Sequence, residues 1–299
     1  MIKIANAPCS WGILEFGLEG KTSPYTQVLD EIRETGYEGT ELGDWGFLPT
    51  QPYKLFQDLS ERNLDLLGAF VPVNLRNADS HVAGISYALK IAGLMYYAGY
   101  ENARIVLADD NGTVDARVKN AGRITPTMGL NYKEWKVFAE GANQIAYAVK
   151  EAFGFETVFH HHCAGFVETP EEVEMLIEHT DENLVGLCLD TGHYHFGGGD
   201  PIDALKKYKD RIWHVHFKDF DPVVAEQARI NKWDYFTSVK HGIFCELGKG
   251  AVDFKGVLAE LEKQNYTGWA VVEQDVLPGM GDPKFCARAN RDYLKGIGL

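Results

Sequence analysis

Short runs rich in β-branched residues alternate with longer stretches whose apolar positions recur every three or four residues, from one end of the chain to the other. The short runs predict strands at 3–5, 39–42, 64–70, 104–107, 157–162, 185–190, 212–217 and 269–273. Between them the spacing is helical, as in Val28, Leu29 and Ile32 or Val257, Leu258 and Leu261. Helix starts repeat one chemistry: a polar capping residue, then a proline whose missing N–H and fixed φ suit the first turn. Ser23-Pro24, Thr169-Pro170, Asp200-Pro201 and Asp282-Pro283 have this form, and Thr169 with Glu172 makes a capping box.

This alternation, with no second compositional zone, predicts one α/β domain over residues 1–299. Eight strand–helix units favour a closed (β/α)8 TIM barrel over an open sheet. Two segments, 109–131 and 220–250, are longer than barrel loops require. Each follows a predicted strand, so both are expected on the C-terminal rim, where barrels carry their active sites. Their mixed aromatic and charged content predicts ordered lids.

Composition then removes whole classes of partner. Lys plus Arg total 29 against 43 Asp plus Glu, a formal net charge of −14. Such a surface repels a phosphate backbone, so no nucleic-acid partner is expected. No apolar run reaches the 18 or so residues of a membrane span, and the N-terminus lacks the apolar stretch of a signal peptide. Five scattered cysteines without a CxxC pair read as reduced thiols. These features predict a cytoplasmic protein with no membrane partner. Apolar helix faces would suit a homo-oligomer, but nothing in the sequence specifies an interface.

Eight of the ten histidines fall between residues 160 and 216. They gather at the ends of consecutive predicted strands: His160-His161-His162, then Asp190-Thr191-Gly192-His193, then His214-Val215-His216-Phe217-Lys218, with Glu273 closing the series on the eighth. In a parallel barrel these ends converge on one rim. Imidazoles and carboxylates meeting there form a mixed N/O site suited to Mn, Co, Fe or Zn. Taken singly, Asp190 reads more readily as a helix cap, Glu273 as a rim carboxylate and His216 as a core histidine; the metal reading rests on their joint position. His161 is expected to point away from its neighbours, His179 to be structural, and Gly197-Gly198-Gly199 to shape the turn into the helix at Asp200-Pro201.

Several motifs carry a resemblance. Ala5-Asn6-Ala7-Pro8-Cys9-Ser10-Trp11-Gly12, Tyr37-Glu38-Gly39-Thr40-Glu41-Leu42-Gly43, Leu107-Ala108-Asp109-Asp110-Asn111, Ala121-Gly122-Arg123-Ile124, Leu189-Asp190-Thr191-Gly192-His193, His214-Val215-His216-Phe217-Lys218-Asp219 and Val272-Glu273-Gln274-Asp275 resemble the inosose dehydratase family. The last three are shared across the wider xylose-isomerase-like sugar isomerases and epimerases; the N-terminal run is narrower. The resemblance implies a TIM barrel whose divalent metal, Mn or Co foremost and otherwise Mg, Fe or Zn, is held by Asp190, His216, Glu273 and a ligand from the fifth strand. Many relatives end that strand in glutamate. Here His160, His162 or Glu168 must serve, and we favour His162 as the ligand and His160 as a substrate contact.

The resemblance also implies a reaction, loss of water from the small polyhydroxylated ketone 2-keto-myo-inositol through an enolate, in inositol catabolism. The candidates for acid/base work are then Glu41, at the end of the second strand, and His193, with Lys218 bonding a substrate oxygen. A sugar isomerase or epimerase, or a 3-keto-glycoside lyase, would use the same metal site. A sugar-binding barrel without catalysis is the non-enzymatic alternative.

Overall fold

The computed structural model describes residues 2–14 and 16–299. Its strands are β1 (Ile2–Asn6), β2 (Gly39–Thr40), β3 (Asp65–Leu66), β4 (Gly68–Val73), β5 (Arg104–Asp109), β6 (Glu156–His160), β7 (Val185–Asp190), β8 (Ile212–Phe217), β9 (Asp219–Phe220), β10 (Phe244–Cys245) and β11 (Gly268–Val272). Nine of them form one sheet in the order β3-β2-β1-β11-β8-β7-β6-β5-β4, and β9 with β10 forms a separate antiparallel ribbon.

The two ends of that order, β3 and β4, are one strand interrupted at Leu67. Leu67 N donates to Thr40 O on the β2 side at 3.0 Å, and Arg104 N of β5 donates to Leu67 O at 2.8 Å. The ring is thereby closed with eight strand positions, every pairing within it parallel. All eight expected strands are present. The fifth is shorter than its pattern predicted, ending at His160 because His162 N turns back to bond Val167 O at 3.0 Å.

Strand periodicity divides the packing. Leu187, Leu189, Ile105, Leu107, Phe159 and Phe217 face outward into the large apolar cluster built with the helices. The alternate residues Val106, Val158 and Cys188 form a small inner cluster with Phe70, on the face that β6 shares with His160. Burying each large aliphatic side chain contributes about 1.5–3 kcal/mol. The outer layer therefore carries most of the stability and leaves the inner face free for polar chemistry.

The proline caps behave largely as expected. Pro170–His179 begins with the Thr169/Glu172 capping box, while Asp200 and Asp282 cap Pro201–Lys207 and Pro283–Gly296. At Ser23-Pro24 the helix starts one residue later, at Tyr25, with Pro24 in the capping position. The long segments contain helices of their own, Asp115–Lys119 in one, Pro222–Asn231 and Tyr235–Lys240 in the other. They touch: Arg123 donates to Ala228 O at 3.3 Å and to Trp233 O at 2.9 Å. Both lie on the rim where the strands end. Among the described residues no helix is long and apolar enough to cross a membrane.

Candidate active site

Four consecutive strand positions deliver ligand-type side chains to one point. His160 ends β6, Asp190 ends β7, His216 lies on β8, and Glu273 follows β11, its N–H bonded to Phe217 O at 3.0 Å. One donor atom from each falls within 4.8 Å of the others, and all four residues are buried. His216 Nδ1 stands 3.2 Å from Glu273 Oε2 and 4.0 Å from Asp190 Oδ2, and His160 Nε2 stands 3.5 Å from Asp190 Oδ2. Among the described residues, His160 Nε2, Asp190 Oδ2 and His216 Nδ1 have no hydrogen-bond partner. Buried polar atoms without hydrogen bonds are costly, and three such atoms aimed at one point with a carboxylate beside them fit a divalent cation. The mixed N/O set suits Mn, Co, Fe or Zn.

Below this group lies a polar pair deeper in the barrel. Glu41 Oε1 is 2.8 Å from His214 Nε2 and 3.2 Å from His216 Nε2, so both imidazoles donate to one oxygen. Gly68 of the neighbouring strand packs beside this carboxylate, where a Cβ would crowd Val106 Cγ2 at 3.0 Å and Arg104 O at 3.2 Å. With Nε2–H committed to Glu41, His216 turns its Nδ1 to the four-residue group, a carboxylate–histidine arrangement common behind metal ligands. Burial pushes the Glu41 carboxyl up, but His216 and His214 outweigh it and hold the group well below the usual carboxylate range.

A second group adjoins the first. His162, His193 and Asp275 bring ligand-type atoms within 4.8 Å of one another. Asp275 is the hub, with Oδ2 2.9 Å from Tyr235 Oη and 3.3 Å from His193 Nε2, and Oδ1 2.9 Å from Lys218 Nζ. Lys218 joins the groups, lying also 3.1 Å from Glu273 Oε2, 3.3 Å from Asp190 Oδ2 and 3.0 Å from His193 Nε2. Burial disfavours its charge, yet Asp190, Asp275 and Glu273 together hold it as an ammonium ion, its pKa well above the ordinary value. Burial pushes His162 well below the ordinary imidazole value and His193 down as well, so both are neutral near pH 7. His162 Nδ1 donates to Cys163 O, which leaves Nε2 as its basic atom.

The expected residues thus divide. His160, Asp190, His216 and Glu273 come together; His162 does not join them and stands with His193 and Asp275. The face that His160 and His162 were expected to share required an extended strand through 162, and the turn after His160 ends it. Glu168, the third fifth-strand candidate, accepts from Gly122 N at 2.7 Å and Ala164 N at 2.9 Å, and burial pushes its carboxyl up to about 7. His161 packs behind the site, accepting from Asp190 N at 3.1 Å. Glu41, His160, His162, His216, Lys218, Glu273 and Asp275 line the rim cavity, whose remaining wall includes Pro8, Cys9, Ile13, Leu14, Asp44 and Phe70. His193 lies behind that surface.

Sequence reasoning missed Asp275, Tyr235, Asp44 and Phe70. Asp275 carried a usable signal, two residues beyond Glu273 in the same motif. Tyr235 arrives from a long segment after β8, where no periodicity predicts what reaches the barrel mouth.

The xylose isomerase-like TIM barrel family model matches residues 29–296. An inosose dehydratase from Geobacillus kaustophilus is 31% identical over 294 residues, 98% of this chain and 93% of the relative. Among solved structures, a probable 3-DHS dehydratase, AsbF, from Bacillus anthracis superposes with a TM-score of 0.69 at 15% identity, covering 99% of both chains. The 3-keto-D-glucoside 4-epimerase YcjR of E. coli superposes with 0.66 at 16% identity, again over 99% of each. At those identities the two structures speak for the fold alone. The full-length match and the family model together place the molecule: this chain belongs to the inosose dehydratase family of xylose isomerase-like TIM barrels, and it is a hydro-lyase of that family.

Proposed function

We propose that this protein removes water from 2-keto-myo-inositol, using a divalent cation held by His160, Asp190, His216 and Glu273. The observation that carries this reading is the convergence of those four buried donor groups, three with atoms that make no hydrogen bond among the described residues, at one end of a barrel that matches inosose dehydratases over 98% of its length. The mixed N/O set accepts Mn or Co, the metals that the resemblance to the family puts first. A cation there supplies Lewis-acid stabilisation of an enolate, worth several kcal/mol.

The chain's own groups account for the proton movements. The hydrogen α to the ketone leaves as a proton, and its electron pair becomes the carbon–carbon double bond as the β-hydroxyl departs. His162 is neutral, lines the cavity and presents Nε2, so it takes the α-proton. Lys218 is an ammonium ion on the same wall and gives a proton to the departing oxygen, which leaves as water. The proton that His162 gains passes back to Lys218 through His193 and Asp275, which stand with His162 in one group and lie within 3.0 and 2.9 Å of Lys218 Nζ. The enol product then ketonises to a diketone. Glu41 is too strongly held as a carboxylate by its two imidazoles to take a proton, and instead orients His216. General acid and base steps of this kind are each worth about 100- to 10,000-fold.

The cavity's charge narrows the substrate. Glu41, Asp44, Glu273 and Asp275 line it against Lys218 and the cation, which leaves no surplus of positive charge and favours a neutral polyol over a carboxylate or phosphate ester. The test is to incubate the Mn- or Co-loaded protein with 2-keto-myo-inositol in deuterated water. A product lighter by one water, with diketone absorbance, is the expected result. Deuterium exchange or an isomer of otherwise unchanged mass would instead establish an isomerase, and binding unaffected by metal removal without turnover would establish a sugar-binding barrel.

A further inference from the structure

The cavity holds a carboxylate that the proton movements do not use. Asp44 lies in the loop after β2, where Gly43 adopts a left-handed φ of +68° and packs so closely on Pro8 that a Cβ would meet its ring at 3.0 Å. That turn brings Asp44 to the cavity wall. Unlike Glu41, Asp190, Glu273 and Asp275, it has no ion-pair or side-chain hydrogen-bond partner among the described residues, although it is partly withdrawn from solvent. Its carboxyl is pushed up by burial, with no neighbouring cation to offset it. A desolvated carboxylate without donors is unfavourable unless a ligand supplies them.

Position decides which part of the ligand does so. Around the eight-place ring, β2 stands four places from β7, which carries Asp190. Asp44 therefore faces the part of a bound ring remote from the carbonyl that the four-residue group receives. Pro8, Leu14 and Phe70 supply an apolar wall in the same cavity. A cyclitol offers a matching surface, with C–H faces for the apolar wall and hydroxyls around its edge.

We propose that Asp44 is a specificity-determining residue that accepts hydrogen bonds from substrate hydroxyls remote from the reacting carbons, a vicinal pair filling its two oxygens. This rests on the reading of the site as one for a keto-cyclitol. The group touches substrate without moving a proton in the reaction, so its interaction is the same in the ground and transition states and belongs in KM.

The test compares 2-keto-myo-inositol with its monodeoxy analogues on the metal-loaded protein, before and after Asp44→Ala and Asp44→Asn. The unaltered protein should discriminate about 10- to 100-fold in kcat/KM against at least one analogue, the range for a hydrogen bond to a charged group. Asp44→Ala should lose that discrimination, raise KM with kcat nearly unchanged, and keep its metal content. Asp44→Asn, which retains one acceptor, should fall between, and it decides the matter alone if the alanine variant does not fold. Discrimination unchanged in the folded variants, or activity lost equally on every analogue, overturns the proposal. If the unaltered protein gives no dehydration, the reading of the reaction fails separately. Asp44 is then judged by calorimetric binding of scyllo-inositol and its deoxy analogue, where the same loss of discrimination supports it and its persistence refutes it.

Discussion

The two halves of the barrel rim differ in kind. Strands β6, β7, β8 and β11, joined by Glu41 after β2, contribute imidazoles, carboxylates and an ammonium ion that contact one another within 2.8–4.0 Å. The segments following β1, β2 and on β4 contribute Pro8, Leu14, Asp44 and Phe70 to the same cavity. In the first half the polar side chains are buried and stand within 4.0 Å of other ionisable groups, so their geometry is fixed before any ligand arrives. In the second the surfaces are apolar or unpartnered and gain their contacts from the ligand. Preorganised charge suits bond making and breaking, and passive surface suits recognition. Changes in the first half should therefore act on kcat or metal, and changes in the second on KM.

The largest effect should come from Asp190→Ala. Removing one carboxylate from the four-residue group should cost the bound cation and lower kcat/KM by about a thousandfold, the equivalent of several kcal/mol. Metal analysis together with initial rates checks it; full metal content with full activity would break the assignment.

A second test reaches behind the reactive half, to Glu168. Its carboxyl is pushed from 4.5 up to about 7, so the folded protein holds a proton there that the unfolded chain releases. Stability should consequently fall as pH rises from about 4.5 to 7, by on the order of 3 kcal/mol if the whole shift is expressed. Asp109, pushed up to about 6 by burial, acts in the same direction. Glu168→Gln should flatten this limb and raise Tm above pH 7 relative to the unaltered protein, with little change near pH 4.5. Thermal unfolding of the metal-free protein across pH reads it; parallel curves for the two proteins would refute the assignment.

Glu41→Gln should weaken metal affinity by about 10- to 100-fold, because an amide cannot accept from both His214 and His216 through one oxygen while staying anionic. Titration with Mn, followed by paramagnetic resonance, measures this directly. An unchanged affinity with lost turnover would return Glu41 to an acid/base role. The smallest effect is expected in the recognition half, where Phe70→Ala should raise KM about tenfold at nearly constant kcat. A fall in kcat of equal size would erase the distinction between the two halves.

The barrel was legible because its signal is repetitive. Eight β-branched runs and recurrent proline caps give many independent readings of one pattern, and errors at single ends do not alter it. The four-residue group was legible in three places, Asp190, His216 and Glu273, since each lies at or just after a strand end that hydrophobic periodicity locates. Its fourth place was not. Choosing between His160 and His162 required knowing that the backbone turns after His160, a turn fixed by the bond from His162 N to Val167 O and by nothing in the local pattern. Glu41 illustrates a different limit. Its strand position was read correctly, but its bonds to His214 and His216 join it to a strand three places away around the ring, which no local pattern announces.

The clasp of Arg123 on Ala228 O and Trp233 O has a kinetic consequence. Two long segments that moved separately would admit substrate through many partial openings. Joined at Arg123, with Glu168 gripping the neighbouring Gly122 N, they should open in one concerted event, and the mouth of the barrel then behaves as a single gate. Amides in 115–123 and 222–240 should accordingly exchange with solvent at a shared opening free energy. Arg123→Ala should split them into two populations, and if product escape limits turnover, it should speed the enzyme even as it loosens the rim.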